Sequence, residues 1–70
     1  MKGKKVFTKE EADMIRALIR ERNNADASRQ KVIRAKMRRL GFYGQDDWGI
    51  VGCRPSDFEH LIKSGLITII

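Results

Sequence analysis

The sequence predicts an α-rich α+β domain: three helices around a single core, with a small sheet that includes the C-terminal strand. Three observations carry that class. Apolar residues recur at helical spacing in two stretches and, more briefly, in a third near the end. Capping residues stand ahead of each stretch. The last five residues, Leu66-Ile67-Thr68-Ile69-Ile70, are mostly β-branched, which favours an extended chain.

The first helix opens at Thr8-Lys9-Glu10-Glu11, a capping-box sequence. The threonine hydroxyl accepts from the amide of Glu11 while the glutamate reaches back. Phe7 stands at the position of a hydrophobic staple, with Ala12 a small mate for it. Ile15, Leu18, Ile19 and the stem of Arg22 share one face. Asn23-Asn24 ends the helix, since both residues favour turns and asparagine tolerates the left-handed conformation.

The second helix begins at Asp26 or Ser28, either of which serves as a cap. Ile33, Met37 and Leu40 form its buried stripe, and Gly41 is placed to terminate it. The third helix is short. Ser56-Asp57-Phe58-Glu59 reads as a second capping box after Pro55, Phe58, Leu61 and Ile62 make its apolar face, and Gly65 ends it. The closing strand needs a mate. Lys5-Val6-Phe7 and Gly49-Ile50-Val51 are the two candidates within the chain. Between Gly41 and Arg54 lies a long connection holding Phe42, Tyr43 and Trp48. Its aromatics are expected to fold back and close the core, because aromatic side chains supply much of the burial in a small domain.

Size bounds the rest. Seventy residues make one domain, and a chain this short buries only about 60% of the surface it exposes when unfolded. Residues 1–7 read as a basic N-terminal arm and residues 8–70 as the domain. Cys53 is the sole cysteine, so no internal disulfide can staple the fold, and an unpaired thiol fits a reducing compartment. The basic opening Met1-Lys2-Gly3-Lys4-Lys5 is not followed by the apolar core of a signal peptide. A cytoplasmic location is therefore expected.

The inventory for catalysis is thin. His60 is the only histidine and lies among charged neighbours on a helix. One His and one Cys provide neither a triad nor the three or four ligands of a zinc site. Asp46-Asp47 lacks calcium-loop spacing. Gly41-Phe42-Tyr43-Gly44 has no lysine behind it to make a phosphate loop. No enzyme activity, metal or cofactor is expected.

Charge is the strongest signal. The chain carries a formal +6 with a pI of about 10.0. Between Arg29 and Arg39 stand Arg29, Lys31, Arg34, Lys36, Arg38 and Arg39, with no acidic residue, and outside this window the charges cancel. At about 100° per residue, Lys31, Arg34 and Arg38 form a stripe away from Ile33, Met37 and Leu40. The expected function is non-enzymatic DNA or RNA binding, with this helix on the phosphates. Its contact set is Lys31, Arg34, Arg38, Arg39 and Arg29, joined by Lys4 and Lys5 of a mobile arm, with Lys2 beside them. Gln30 and Asn24 are candidates to read base edges. A helix-turn-helix fits imperfectly, since Glu21 and Asn23 occupy positions where that turn prefers small residues and glycine.

The alternative is a protein-interaction module or homodimer joined through the C-terminal strand or the aromatic loop, with an acidic protein as partner. A monomer is the expected state, because the strand has internal mates. From Phe7 to Ile70 the chain resembles a group of small uncharacterised bacterial proteins. The likeness lies in Thr8-x-Glu10-Glu11, Arg29-Gln30-Lys31-x-Ile33-Arg34, Leu40-Gly41-Phe42-Tyr43, Asp57-Phe58 and Gly65-Leu66-Ile67. It implies a compact bacterial-type domain and transfers no site.

Overall fold

A computed structural model describes residues 3–50 and 54–70. Among these the order is β1 (Val6–Phe7), α1 (Lys9–Asn23), α2 (Ala27–Arg39), α3 (Gly44–Trp48), α4 (Pro55–Lys63) and β2 (Thr68–Ile69). The class is the expected α-rich α+β, with one more helix than the sequence pattern announced. Lys2, Val51 and Cys53 lie outside the described residues.

Local chemistry accounts for the helix boundaries. At the start of α1, Thr8 Oγ1 accepts from the Glu11 amide at 3.1 Å, and Glu11 Oε1 accepts from the Thr8 amide at 2.9 Å. The capping box is thus closed in both directions. Asp26 caps α2, its Oδ1 accepting from the Arg29 amide at 2.8 Å. Both α2 and α4 end in Schellman motifs. In α2 the amides of Gly41 and Phe42 donate to the carbonyls of Arg38 and Met37, with Gly41 at φ 95°. In α4 the amides of Gly65 and Leu66 donate to Ile62 and Leu61. The first of these turns sends Phe42 back into the core.

Three details differ from the sequence reading. Asn23-Asn24 does end α1, but Asn24 stays at φ −107° and not in the left-handed region. Helix α4 begins at Pro55 rather than at a Ser56 cap. Proline has no amide to satisfy and a φ already suited to the first helical position. Arg54 therefore becomes the cap residue, and Asp57 Oδ2 accepts its amide at 2.9 Å. Part of the long connection is itself helical: α3 spans Gly44–Trp48 and stops at Gly49, φ 66°. Gly49 and Ile50 join no strand.

The mate of β2 is therefore β1. The pair is parallel, Val6 opposite Thr68 and Phe7 opposite Ile69. Thr68 donates to the Lys5 carbonyl at 2.8 Å and Ile70 to that of Phe7 at 2.9 Å. This pairing brings the two ends of the domain together and makes residues 4–7 part of the packed structure, not an arm ahead of it.

The core is built from every long element. Ala12, Ile15 and Ile19 enter from α1, Ile33 and Met37 from α2, Phe58 and Leu61 from α4. Phe7 and Ile67 close one end. Phe42 stands edge-on to Phe7 at 6.4 Å and to Phe58 at 5.3 Å, so three phenylalanines run in contact through the centre. Trp48 packs against this cluster while remaining half-buried. On the outside Arg16 joins α1 to α4, its Nε 2.6 Å from Glu59 Oε1 and its guanidinium over the Phe58 ring. Glu59 holds the Arg16 guanidinium above its ordinary pKa, so its charge is secure.

Candidate nucleic-acid interface

Helix α2 returns alongside α1 after a three-residue turn. Near the turn Arg29 pairs with Glu21, and farther on Lys36, Arg39 and Leu40 lie beside Met14, Ala17 and Leu18. Packing Ile33 and Met37 inward forces the residues between them outward. Lys31, Arg34, Lys36, Arg38 and Arg39 are all exposed. None of the five has an acidic partner within ion-pair distance among the described residues.

The rest of the expected contact set is differently placed. Arg29 donates through Nε and Nη2 to Glu21 Oε1, at 3.1 and 2.6 Å, so its charge is offset. Lys4 Nζ pairs with Glu11 Oε2 at 2.6 Å and stands 5.2 Å from the Phe7 ring centroid, while its amide donates to the Gly41 carbonyl. The Lys5 main chain is held in the sheet, with its side chain exposed. A mobile arm of Lys4 and Lys5 is therefore replaced by a docked one, because the β1–β2 pairing and the Glu11 carboxylate tie it down. Gln30 and Asn24 spend side-chain donors on the protein's own main chain. Gln30 Nε2 donates to the carbonyls of Arg22 and Ala25, and Asn24 Nδ2 to that of Arg20, all at the end of α1.

Each flank of α2 borders a recess. On one side Met14, Ala17, Leu18 and Leu40 line an apolar groove edged by Lys36 and Arg39. On the other, Arg34 and Arg38 meet Arg22 of α1 and Tyr43, Gln45 and Asp46 of the α3 region around a cavity of about 100 Å³. Phe42 and Met37 contribute to its lining. The Nε of Arg22, a residue of this lining, is buried without a hydrogen-bond partner.

Sequence reasoning missed Arg22 as a site residue. The signal was present: a guanidinium stood on the apolar stripe of α1 after Ile15 and Ile19. Spacing puts its stem on the stripe but does not say where its charged head goes. Tyr43 and Gln45 join it only because α3 folds the connection back toward α2, a contact no spacing encodes.

Other candidate chemistry is dispersed. His60 is exposed on α4. Asp47 Oδ2 accepts from the Gly3 amide at 2.8 Å. No group of three or more His, Cys, Asp or Glu side chains suited to a metal ion occurs among the described residues, and no helix among them is long and apolar enough to cross a membrane. The chain matches no protein-family model, no curated protein and no solved structure.

Proposed function

We propose that this domain binds nucleic acid in the cytoplasm, without catalysis, by setting the exposed face of α2 against phosphates. One observation carries the reading. Lys31, Arg34 and Arg38 project from one helix with no ion-pair partner among the described residues, whereas Lys4, Arg16 and, at the start of that same helix, Arg29 are each paired. Unpaired surface cations are held apart at an electrostatic cost that a polyanion relieves, and arginine grips phosphate with a planar two-bond fork. Fixing all three on one rigid helix means that little ordering is lost on binding.

The test is a titration with DNA and RNA oligomers across a range of salt. Binding should weaken steeply as salt rises, because each phosphate contact releases counterions. Changing Lys31, Arg34 or Arg38 singly to Ala should lower the slope of log affinity against log salt by about 1. Changing all three to Glu should abolish binding while the helical far-UV spectrum persists. A wild-type protein that binds neither DNA nor RNA at about 50 mM salt, where screening is weak, sinks the proposal.

The apolar groove favours a second reading, a protein-interaction module. Met14 is 51% exposed, and Lys36 and Arg39 at the edge suit an acidic partner. An interface of that kind keeps most of its strength in high salt, and Met14→Glu should weaken it while leaving phosphate binding intact.

A further inference from the structure

We infer that the recess between α1, α2 and α3 is a site for a single phosphomonoester, and that it seats the terminal phosphate of a nucleic-acid strand lying on α2. The carrier of that phosphate rests on the function proposed above; the site itself does not. Four properties of the recess lead to it.

The first is the donor set. Arg22, Arg34 and Arg38 come from two helices and converge on one cavity. Side chains from separate elements meet there although, among the described residues, no carboxylate pairs with any of the three. The second is the unmet donor. Arg22 Nε is buried with no acceptor. A buried N–H normally finds a partner, and one left without any marks a place where an acceptor is missing. An oxyanion held by the rest of that guanidinium would place a negative charge close to this unmet donor.

Size is the third. About 100 Å³ holds several waters or one tetrahedral anion, but the clefts that enclose whole small ligands run to about 300–1,000 Å³. Only the charged group enters, and the rest of the ligand stays outside. Charge is the fourth. Three guanidiniums and the Asp46 carboxylate leave the lining two positive charges in excess. A phosphomonoester carries about −1.5 to −2 near neutral pH, which matches. A phosphodiester carries a single charge and is flanked by sugar on both sides, so it can approach the exposed ridge but not enter the recess. Tyr43, half-buried at the same lining, offers a ring against which the terminal base can stack.

The site is tested with strands and with small phosphates. Short single-stranded DNA of one sequence is prepared with a phosphate at the 5′ end, at the 3′ end, or at neither. One phosphorylated form should bind about tenfold more tightly than the unphosphorylated strand, as one added charge-assisted contact provides. Arg22→Gln should erase that preference and leave the unphosphorylated strand unaffected, whereas Lys31→Gln should weaken all three strands alike.

A second measurement needs no variant. In the wild-type protein the Arg22 Nε–H resonance should move saturably with methyl phosphate and stay put with dimethyl phosphate. If no strand binds in any form but methyl phosphate still moves Arg22, the nucleic-acid reading falls and the pocket stands as a site for free phosphomonoesters. Strands that bind without preference for a terminal phosphate overturn the strand-end assignment. An Arg22 resonance that ignores methyl phosphate overturns the site.

Discussion

Gln30 on α2 donates its side-chain amide to the main-chain carbonyl of Arg22 on α1, at 3.2 Å, and to that of Ala25 at 3.0 Å. Carbonyls in the last turn of a helix have no partner inside it, and here the neighbouring helix adds a donor to Arg22 O beside the Ala25 amide that also reaches it. The same contact fastens the base of α2 to the residue whose guanidinium lines the arginine recess.

Gln30→Ala is accordingly expected to destabilise the domain by about 1–2 kcal/mol, the range for losing such bonds at a half-buried site. Gln30→Glu should cost at least as much, since a carboxylate cannot donate to carbonyls. Urea-denaturation midpoints measure both. A neutral Gln30→Ala would show that the α1–α2 turn holds without this clamp.

The start of α4 makes a paired prediction. Ser56 lies inside the helix, exposed, whereas Asp57 accepts the Arg54 amide. Ser56→Ala should be neutral within about 0.5 kcal/mol, and Asp57→Ala should cost about 1 kcal/mol through the lost cap. Thermal melts of the two variants decide it, and the reverse order would restore Ser56 as the cap.

Among the described glycines, Gly41 is the one where two constraints coincide. Its φ of 95° is unfavourable for any side chain, and a Cβ there would lie 2.8 Å from Lys4 Cγ. Gly41→Ala should destabilise by about 1–2 kcal/mol from the backbone conformation alone. Lys4→Ala, made together with it, should recover none of that backbone cost. Chemical denaturation of the single and double variants separates the two contributions.

Glu11 ties acid stability to the cap of α1. The Lys4 ammonium, and after it the Thr8 amide, hold its carboxyl below the ordinary value of 4.5. A carboxylate with a depressed folded-state pKa stabilises above its unfolded pKa, and that stabilisation disappears as pH falls through the folded value. Glu11→Gln keeps the capping-box geometry but loses the ion pair. The variant should therefore be less stable than the wild type at pH 7, and the gap should close as the pH drops below about 4.5. A gap that stays constant down to pH 3 would show that the ion pair is not its source.

Much of the architecture is written in local chemistry. Thr8 and Glu11 define a helix start because the two groups that satisfy each other lie three residues apart. Asp26 and Gly41 bracket α2 for similarly local reasons, and the outward face bearing Lys31, Arg34 and Arg38 follows once Ile33 and Met37 turn inward. The β-branched residues at the end announce an extended segment.

Tertiary structure decided what depends on residues distant in sequence. Val6–Phe7 became the mate of Thr68–Ile69 because β1 and the turn after α4 reach the same edge of the core, while Gly49 was taken up in ending α3. Of the basic residues, spacing identified which ones point outward but not which ones are neutralised. Glu21 lies eight residues from Arg29 and Glu11 seven from Lys4, and only the packing of helix on helix and strand on helix brings those charges together. The arginine recess belongs to the same category. Arg22 became a candidate ligand residue only when the fold brought α3 to the same recess as α2 and the end of α1.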